Sequence, residues 1–212
     1  MAKSTYQEKL TLIFVGRSGC GKGTQAKYAL ARLKKFGVIH LETGLFLREL
    51  VDRYHNPTTA LAKTIMHKGG FVPPWFPMFP VLKLMMEKGI IANHWIVDGS
   101  PRRMWEAELI DNIMLAHKRI VPLAVHIELN SQEATKRLLL RAKTEGRFDD
   151  TKKAIRNRMK SFSKHTVPIL KFYQKTNRLI SVNGNQSPEK VWKEINMALG
   201  KRFKKYWPRG NK

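Results

Sequence analysis

Short apolar runs rich in β-branched residues alternate along the chain with stretches whose apolar residues recur every three or four positions. The first run, Leu10–Val15, ends at Gly16, as a buried parallel strand does. From Lys22 to Phe36 the residues Ala26, Leu30 and Leu33 follow a helical spacing, and Gly37 supplies a stop. Val38–Leu41 reads as a second strand. Thr43–Tyr54 and Thr58–Lys68 read as helices parted at Asn56-Pro57. Four prolines within Pro73–Pro80 should disrupt a regular helix there, and the cluster Trp75, Phe76 and Phe79 reads as core packing. Trp95–Val97, Leu123–Leu129 and Leu179–Val182 complete a set of five strands. Helical patterns at Arg103–Lys118, Gln132–Lys143, Thr151–Lys175 and Pro188–Leu199 fill the intervals. Pro168 should bend or break the third of these, whereas Pro188 sits where a first turn favours it.

Strands alternating with helices predict an α/β protein, a parallel sheet covered by helices on both faces. With 212 residues, no internal repeat and no low-complexity linker, one domain is the economical reading. No apolar stretch reaches the length of a membrane helix. The short run after the polar start Met1–Lys9 ends at a glycine-rich loop without a small-residue cleavage site, so it is read as a strand and not as a signal peptide. A single cysteine, Cys20, excludes an internal disulfide and a cysteine-based zinc site. These features together predict a cytoplasmic protein.

Charge changes the picture. Lys and Arg number 40 against 16 Asp and Glu, a formal +24, with a pI near 10.4. The segment Thr151–Pro188 holds nine basic residues and no acid, and Lys201–Lys212 holds six more. Such a surface attracts polyanions through counterion release. It suits a polyphosphate substrate, and it leaves open a weak association with RNA or another polyanion, including tethering through the tail.

The chemistry is concentrated first in Gly16-Arg-Ser-Gly-Cys-Gly-Lys-Gly-Thr24, placed between a strand and a helix. Glycines let backbone N–H groups turn inward and approach phosphate oxygens, and the helix N-terminus adds partial positive charge. Lys22 supplies a point charge for the outer phosphates. The pattern G-x-x-x-x-G-K-[ST] is met loosely, with Gly23 at the hydroxyl position and Thr24 one later. Cys20 lies in the loop but has no partner for a catalytic role. The seven histidines read as surface or core residues.

This loop and four further blocks in order resemble the adenylate kinase family. Gly16–Thr24 is similar to the family's G-x-P-G-x-G-K-G-T, Leu41–Arg48 to S-T-G-D-x-x-R, Lys68–Pro73 to K-G-x-x-V-P, and Asp98–Arg102 to D-G-F-P-R. Arg137, Arg141, Gly146–Asp150 and Arg158 resemble the lid and its flanks. The resemblance implies a three-layer P-loop NTPase fold with a mobile monophosphate-binding insert at about 42–72 and a short mobile lid at about 141–148. It implies transfer of the ATP γ-phosphoryl group to a nucleoside monophosphate, AMP first, by a monomer. Gly19, Cys20, Gly21, Lys22, Gly23, Thr24 and Arg137 would bind ATP, with Arg137 on the base. Thr43, Gly44, Arg48, Val72, Gly99, Arg102 and Glu106 would form the monophosphate site. Lys22, Arg102, Arg141, Arg147 and Arg158 would carry the transfer, and Asp98 would hold Mg²⁺ through water. The short lid leaves no place for the zinc of longer forms.

Four departures stand out. Ser18 takes the place of the loop proline, Glu42 and Leu45 those of the Ser and Asp of S-T-G-D, and Ser100 that of a phenylalanine. The fourth is Glu106, where the family has a glutamine that reads adenine. An ionised carboxylate only accepts hydrogen bonds, so GMP or another monophosphate is an open alternative, unless Glu106 turns outward or backbone contacts read AMP. A nucleic-acid-associated ATPase on the same fold is the other alternative. The retained set Arg48, Val72 and Arg102 argues against it.

Overall fold

Every residue of the first strand, β1 (Thr11–Val15), is buried, which is why its sequence is almost unbrokenly apolar rather than alternating. The computed structural model describes residues 9–89, 92–203 and 207, so most of the basic tail lies outside the described residues. β1 is the centre of a five-stranded parallel sheet in the order β2-β3-β1-β4-β5. The others are β2 (Val38–Glu42), β3 (His94–Asp98), β4 (Leu123–Glu128) and β5 (Leu179–Asn183). The edge strands β2 and β5 are only partly buried.

Successive side chains of β1 point to opposite faces. Leu12 and Phe14 pack with Ala26, Ala29 and Leu33 of α1 (Lys22–Leu33) and Val191, Ile195 and Leu199 of the last helix, Pro188–Arg202. Ile13 and Val15 pack on the other face with residues of helices Trp75–Lys88, Met104–Ala116 and Val167–Lys175. A short 3₁₀ turn, Lys34–Phe36, follows α1. The remaining helices are α2 (Thr43–Arg53), α3 (Pro57–His67), α4 (Trp75–Lys88), α5 (Met104–Ala116), α6 (Ser131–Glu145), α7 (Lys152–Ser161), α8 (Val167–Lys175) and α9 (Pro188–Arg202). The α/β sandwich expected from the sequence is therefore present, with its five strands parallel.

α2, α3 and the start of α4 share a small core of their own, Leu47, Val51, Ala62, Val72 and Phe76. α3 starts on a capping box: the Asn56 side chain accepts from Thr59 N–H, and the Thr59 hydroxyl accepts from Asn56 N–H. This unit stands apart from the sheet core and overhangs the C-terminal ends of β1 and β3, where open α/β sheets bind ligands.

Two expectations need correction. The proline-rich segment is helical: Pro77 falls in the first turn of α4, where a missing N–H is harmless, and Pro80 is accommodated inside the helix. Its aromatic residues are not one core cluster. Phe76 is buried, but Trp75 is 57% and Phe79 48% exposed. The long α-helix is interrupted just before Pro168, as expected. A π-helical turn, Phe162–Thr166, precedes α8, with Val167 N–H reaching back to Phe162 O, and Pro168 lands in the first turn of α8, where it needs no donor.

Candidate active site

The glycine-rich loop leaves β1 at Val15 and enters α1 at Lys22. Gly21, the residue before the helix, has φ 95°, which only glycine adopts readily. Gly19 has φ 85°, and a Cβ there would lie 2.8 Å from Ala134 O of α6, so the loop is pressed against the helix that carries Arg137 and Arg141. No side chain caps α1. Its first-turn N–H groups have no intrahelical partner and are available to an anion. Lys22 Nζ folds back and donates to Gly16 O and Arg17 O, each at 2.9 Å.

This loop is one wall of a cleft of about 390 Å³. Sixteen further residues named from the sequence come together with Lys22 around it: Gly19, Gly21, Gly23, Thr24, Thr43, Gly44, Arg48, Val72, Asp98, Gly99, Arg102, Glu106, Arg137, Arg141, Arg147 and Arg158. Cys20 is not among the lining residues. Its side chain is buried, with Sγ only 2.6 Å from where a Gly16 Cβ would stand, so its backbone alone remains as a contact. Arg17 also points elsewhere, its guanidinium 4.6 Å from the Phe162 ring centre.

Two acids that the sequence reading passed over organise the arginines. Asp150, fully buried, accepts from Arg141 Nε at 2.7 Å and from Arg158 at 2.6 Å. Burial raises its carboxyl, but Arg141 and Arg158 prevail and leave it below the ordinary carboxylate value. Asp149 holds Arg158 at 2.5 Å and faces Arg48 at 4.0 Å. Arg147 pairs with Glu145 and Arg137 with Glu133, at 2.7 and 2.8 Å. The available signal was positional: Asp149 and Asp150 are the last acids before the long acid-free run, with Arg141 and Arg158 on either side.

The cleft remains short of negative charge. Burial and then the neighbouring Arg147 lower the Arg48 guanidinium from its usual value, and burial and then Arg158 do the same to Arg102. Arg102 is braced by its Nε, which donates to Gly99 O at 2.7 Å. At the start of α2, the Thr43 hydroxyl is buried without a hydrogen-bond partner. Such a crowd of guanidiniums beside an unpartnered hydroxyl and a bare helix N-terminus suits phosphate oxygens, which take two N–H bonds from one Arg fork.

Glu106 does not turn outward. It is 4% exposed, and its Oε2 accepts from Ser100 Oγ at 2.9 Å and from Arg102 N at 2.7 Å. Two departures noted separately in the sequence, Ser100 and Glu106, are thus partners.

Asp98 ends β3 beside the loop, its Oδ2 3.4 Å from where a Gly23 Cβ would be. No group of three His, Cys, Asp or Glu side chains suited to a metal gathers among the described residues. One buried carboxylate beside a phosphate site fits Mg²⁺, which keeps its waters and takes its other ligands from the nucleotide.

The adenylate kinase family model matches residues 14–178. The chain is 33% identical over 193 residues to an adenylate kinase of Xanthomonas campestris, covering 91% of this chain and all of that protein. It is 33% identical over 189 residues to an adenylate kinase of Thermus thermophilus, covering 89% and 96%. An adenylate kinase of Prochlorococcus marinus is similar at 33% over 192 residues, covering 91% and 98%. With a phosphate loop, a cluster of guanidiniums and a separate helical overhang around one cleft, and with these likenesses along nearly its whole length, the chain belongs to the adenylate kinase family of phosphotransferases.

Proposed function

We propose that the protein transfers the γ-phosphoryl group of Mg-ATP reversibly to AMP, giving two ADP. The observation that carries this reading is that the phosphate loop, the open Thr43–Arg48 site and the arginine cluster line a single cleft. A simple ATPase has no use for the second of these.

ATP is held by backbone N–H groups of Gly19–Thr24, with Arg137 against its base. Lys22 exchanges the carbonyls of Gly16 and Arg17 for the outer phosphates, a substitution of one set of oxygen acceptors for another. Thr43, Gly44, Val72 and Gly99 surround the monophosphate, whose phosphate is gripped by Arg48 and Arg102. Asp98 would hold Mg²⁺ through water, and the ion would neutralise charge on the β- and γ-oxygens.

Transfer itself asks for alignment and for charge on the equatorial oxygens, which Arg141, Arg147 and Arg158 supply. Asp149 and Asp150 hold two of these guanidiniums in place beforehand, so little reorganisation accompanies the reaction. The attacking phosphate, with a second pKa of about 6, is already ionised at neutral pH, so no general base is needed. Water is excluded when the insert at about 42–72 and the lid at about 141–148 close over the substrates. One cleft on one chain carries all the proposed contacts, so a monomer suffices for the reaction; we place it in the cytoplasm, and its +24 charge favours weak, salt-sensitive association with RNA or similar polyanions.

A coupled assay of purified protein tests the proposal. ADP formation should require ATP, Mg²⁺ and a nucleoside monophosphate together. ATP hydrolysis indifferent to the monophosphate would overturn it and favour a nucleic-acid-associated ATPase.

A further inference from the structure

Beyond AMP, we propose that the acceptor pocket is built to receive guanine, so that GMP is phosphorylated at the same site. The inference rests on the phosphotransfer reading above and adds the identity of a second acceptor base.

Glu106 lies in the first turn of α5, where the helix N-terminus favours a negative charge. Both hydrogen bonds to its Oε2 come from donors, the Ser100 hydroxyl and Arg102 N–H. Ser100 is 1% exposed, so this pair is fixed by burial as well as by hydrogen bonding. Freed from that pairing, the Ser100 hydroxyl and Arg102 N–H would be left without an acceptor. The carboxylate therefore stays where it is. No group among the described residues donates to Oε1, and Glu106 lines the cleft beside the open acceptor site.

A ligand meeting Oε1 must bring hydrogen-bond donors, because an ionised carboxylate has none. Adenine presents one amino donor next to the bare lone pair of N1, so one favourable contact is accompanied by a repulsive one. Cytosine has the same arrangement at N3. Uracil offers one imino N–H between two carbonyls. Guanine alone presents two adjacent donors, N1–H and the amino group at C2, for an oxygen that receives no donor from the described residues. A buried polar group of this kind discriminates strongly, because the wrong partner leaves it unpaired.

The test is a panel of AMP, GMP, CMP and UMP with Mg-ATP and the full-length protein, repeated with Glu106→Gln and Ser100→Ala. The wild-type protein should use GMP with kcat/KM at least equal to that for AMP. Glu106→Gln, which puts a donor beside the acceptor, should lower the GMP-to-AMP ratio at least tenfold, mainly through KM. Ser100→Ala should lower it in the same direction by a smaller factor, which keeps the test informative if the first variant does not fold. GMP use below that of AMP, or a ratio unmoved in folded variants, overturns the inference and leaves the AMP reaction standing. Transfer to no monophosphate at all overturns instead the reading on which it rests.

Discussion

Asp150 accepts two hydrogen bonds from Arg141, Nε at 2.7 Å and an amino group at 3.0 Å, across the turn that joins α6 to α7. A bidentate pair of this kind fixes the plane of the guanidinium as well as its position. Because Arg158 reaches the same buried carboxylate from α7, one acid sets two cations that come from opposite sides of the turn. Asp150→Asn should leave both arginines present but loosely aimed. We expect kcat to fall by roughly 10–100-fold with a smaller change in KM. Stability should drop by about 2 kcal/mol, since Arg141 loses its charged partner while Arg158 keeps Asp149. Steady-state kinetics and urea unfolding measure the two effects, and a kcat within twofold of wild type would remove the clamp from the mechanism.

Lys22 presents a different case, because its charge already has partners in the loop. Its ammonium joins Gly16 O to Arg17 O, neither of them charged, so a phosphate is a better acceptor than what it holds. Lys22→Met should reduce phosphoryl transfer by about 10²–10³-fold, comparable to loss of a single electrostatic stabiliser. The thermal midpoint should change little, because two half-buried hydrogen bonds to carbonyls contribute only about 1 kcal/mol each. If transfer survives at more than a tenth of the wild-type rate in folded protein, Lys22 does not meet the transferred group.

Gly69 ties the helical overhang to the rest of the molecule. Its φ is 68°, and a Cβ there would lie 2.3 Å from Ala154 O and 2.8 Å from Ala154 Cα, both backbone atoms of α7. Asn157 of α7 donates to Lys68 O at 2.8 Å next door. Gly69→Ala must therefore push the insert away from α7, at a cost of about 1–3 kcal/mol for the strained backbone and overlap. In the proposed mechanism the monophosphate site is carried by that insert, so KM for the monophosphate should rise while KM for ATP changes much less. Equal changes in both constants would show that the contact supports the fold generally and not the insert.

These contacts show where the sequence could be read and where it could not. β1 and the loop that follows it were legible because a fully buried parallel strand leaves a continuous apolar run, and because φ values near 90° at Gly19 and Gly21 demand glycine. α4 was hidden because proline spacing says nothing about helix position: Pro77 is harmless only because the helix starts at Trp75. Trp75 and Phe79 looked like core residues by type, but only tertiary packing decides which side of α4 meets the sheet. Asp149 and Asp150 lay in a quoted motif, but no local pattern says that a carboxylate will hold arginines eight or nine residues away on both sides. Ser100 and Glu106 were each visible as substitutions. That one hydrogen-bonds the other depends on the course of the chain before α5.

The last prediction concerns stability and pH, through His94 at the start of β3. Its Nδ1 accepts from Leu10 N–H at 3.0 Å, so that nitrogen must be unprotonated. Burial, and then the charges of Lys9 and Arg119, push the imidazole down from 6.5 to about 4. A histidine whose pKa is lower in the folded state binds its proton more readily when unfolded. Its contribution is therefore complete above about pH 6.5 and is lost as pH falls from there toward 4. The full shift corresponds to roughly 3 kcal/mol at most. His126 is also lowered, by burial first, so the wild-type slope in this window contains both residues and the comparison must be made between proteins. His94→Asn retains an acceptor that cannot take up a proton. The variant should be less stable than wild type at pH 7.5, and the difference should shrink steadily between pH 6.5 and 4.5. Urea midpoints at matched ionic strength across that range provide the measurement, and a difference that stays constant with pH would exclude His94 as the titrating group.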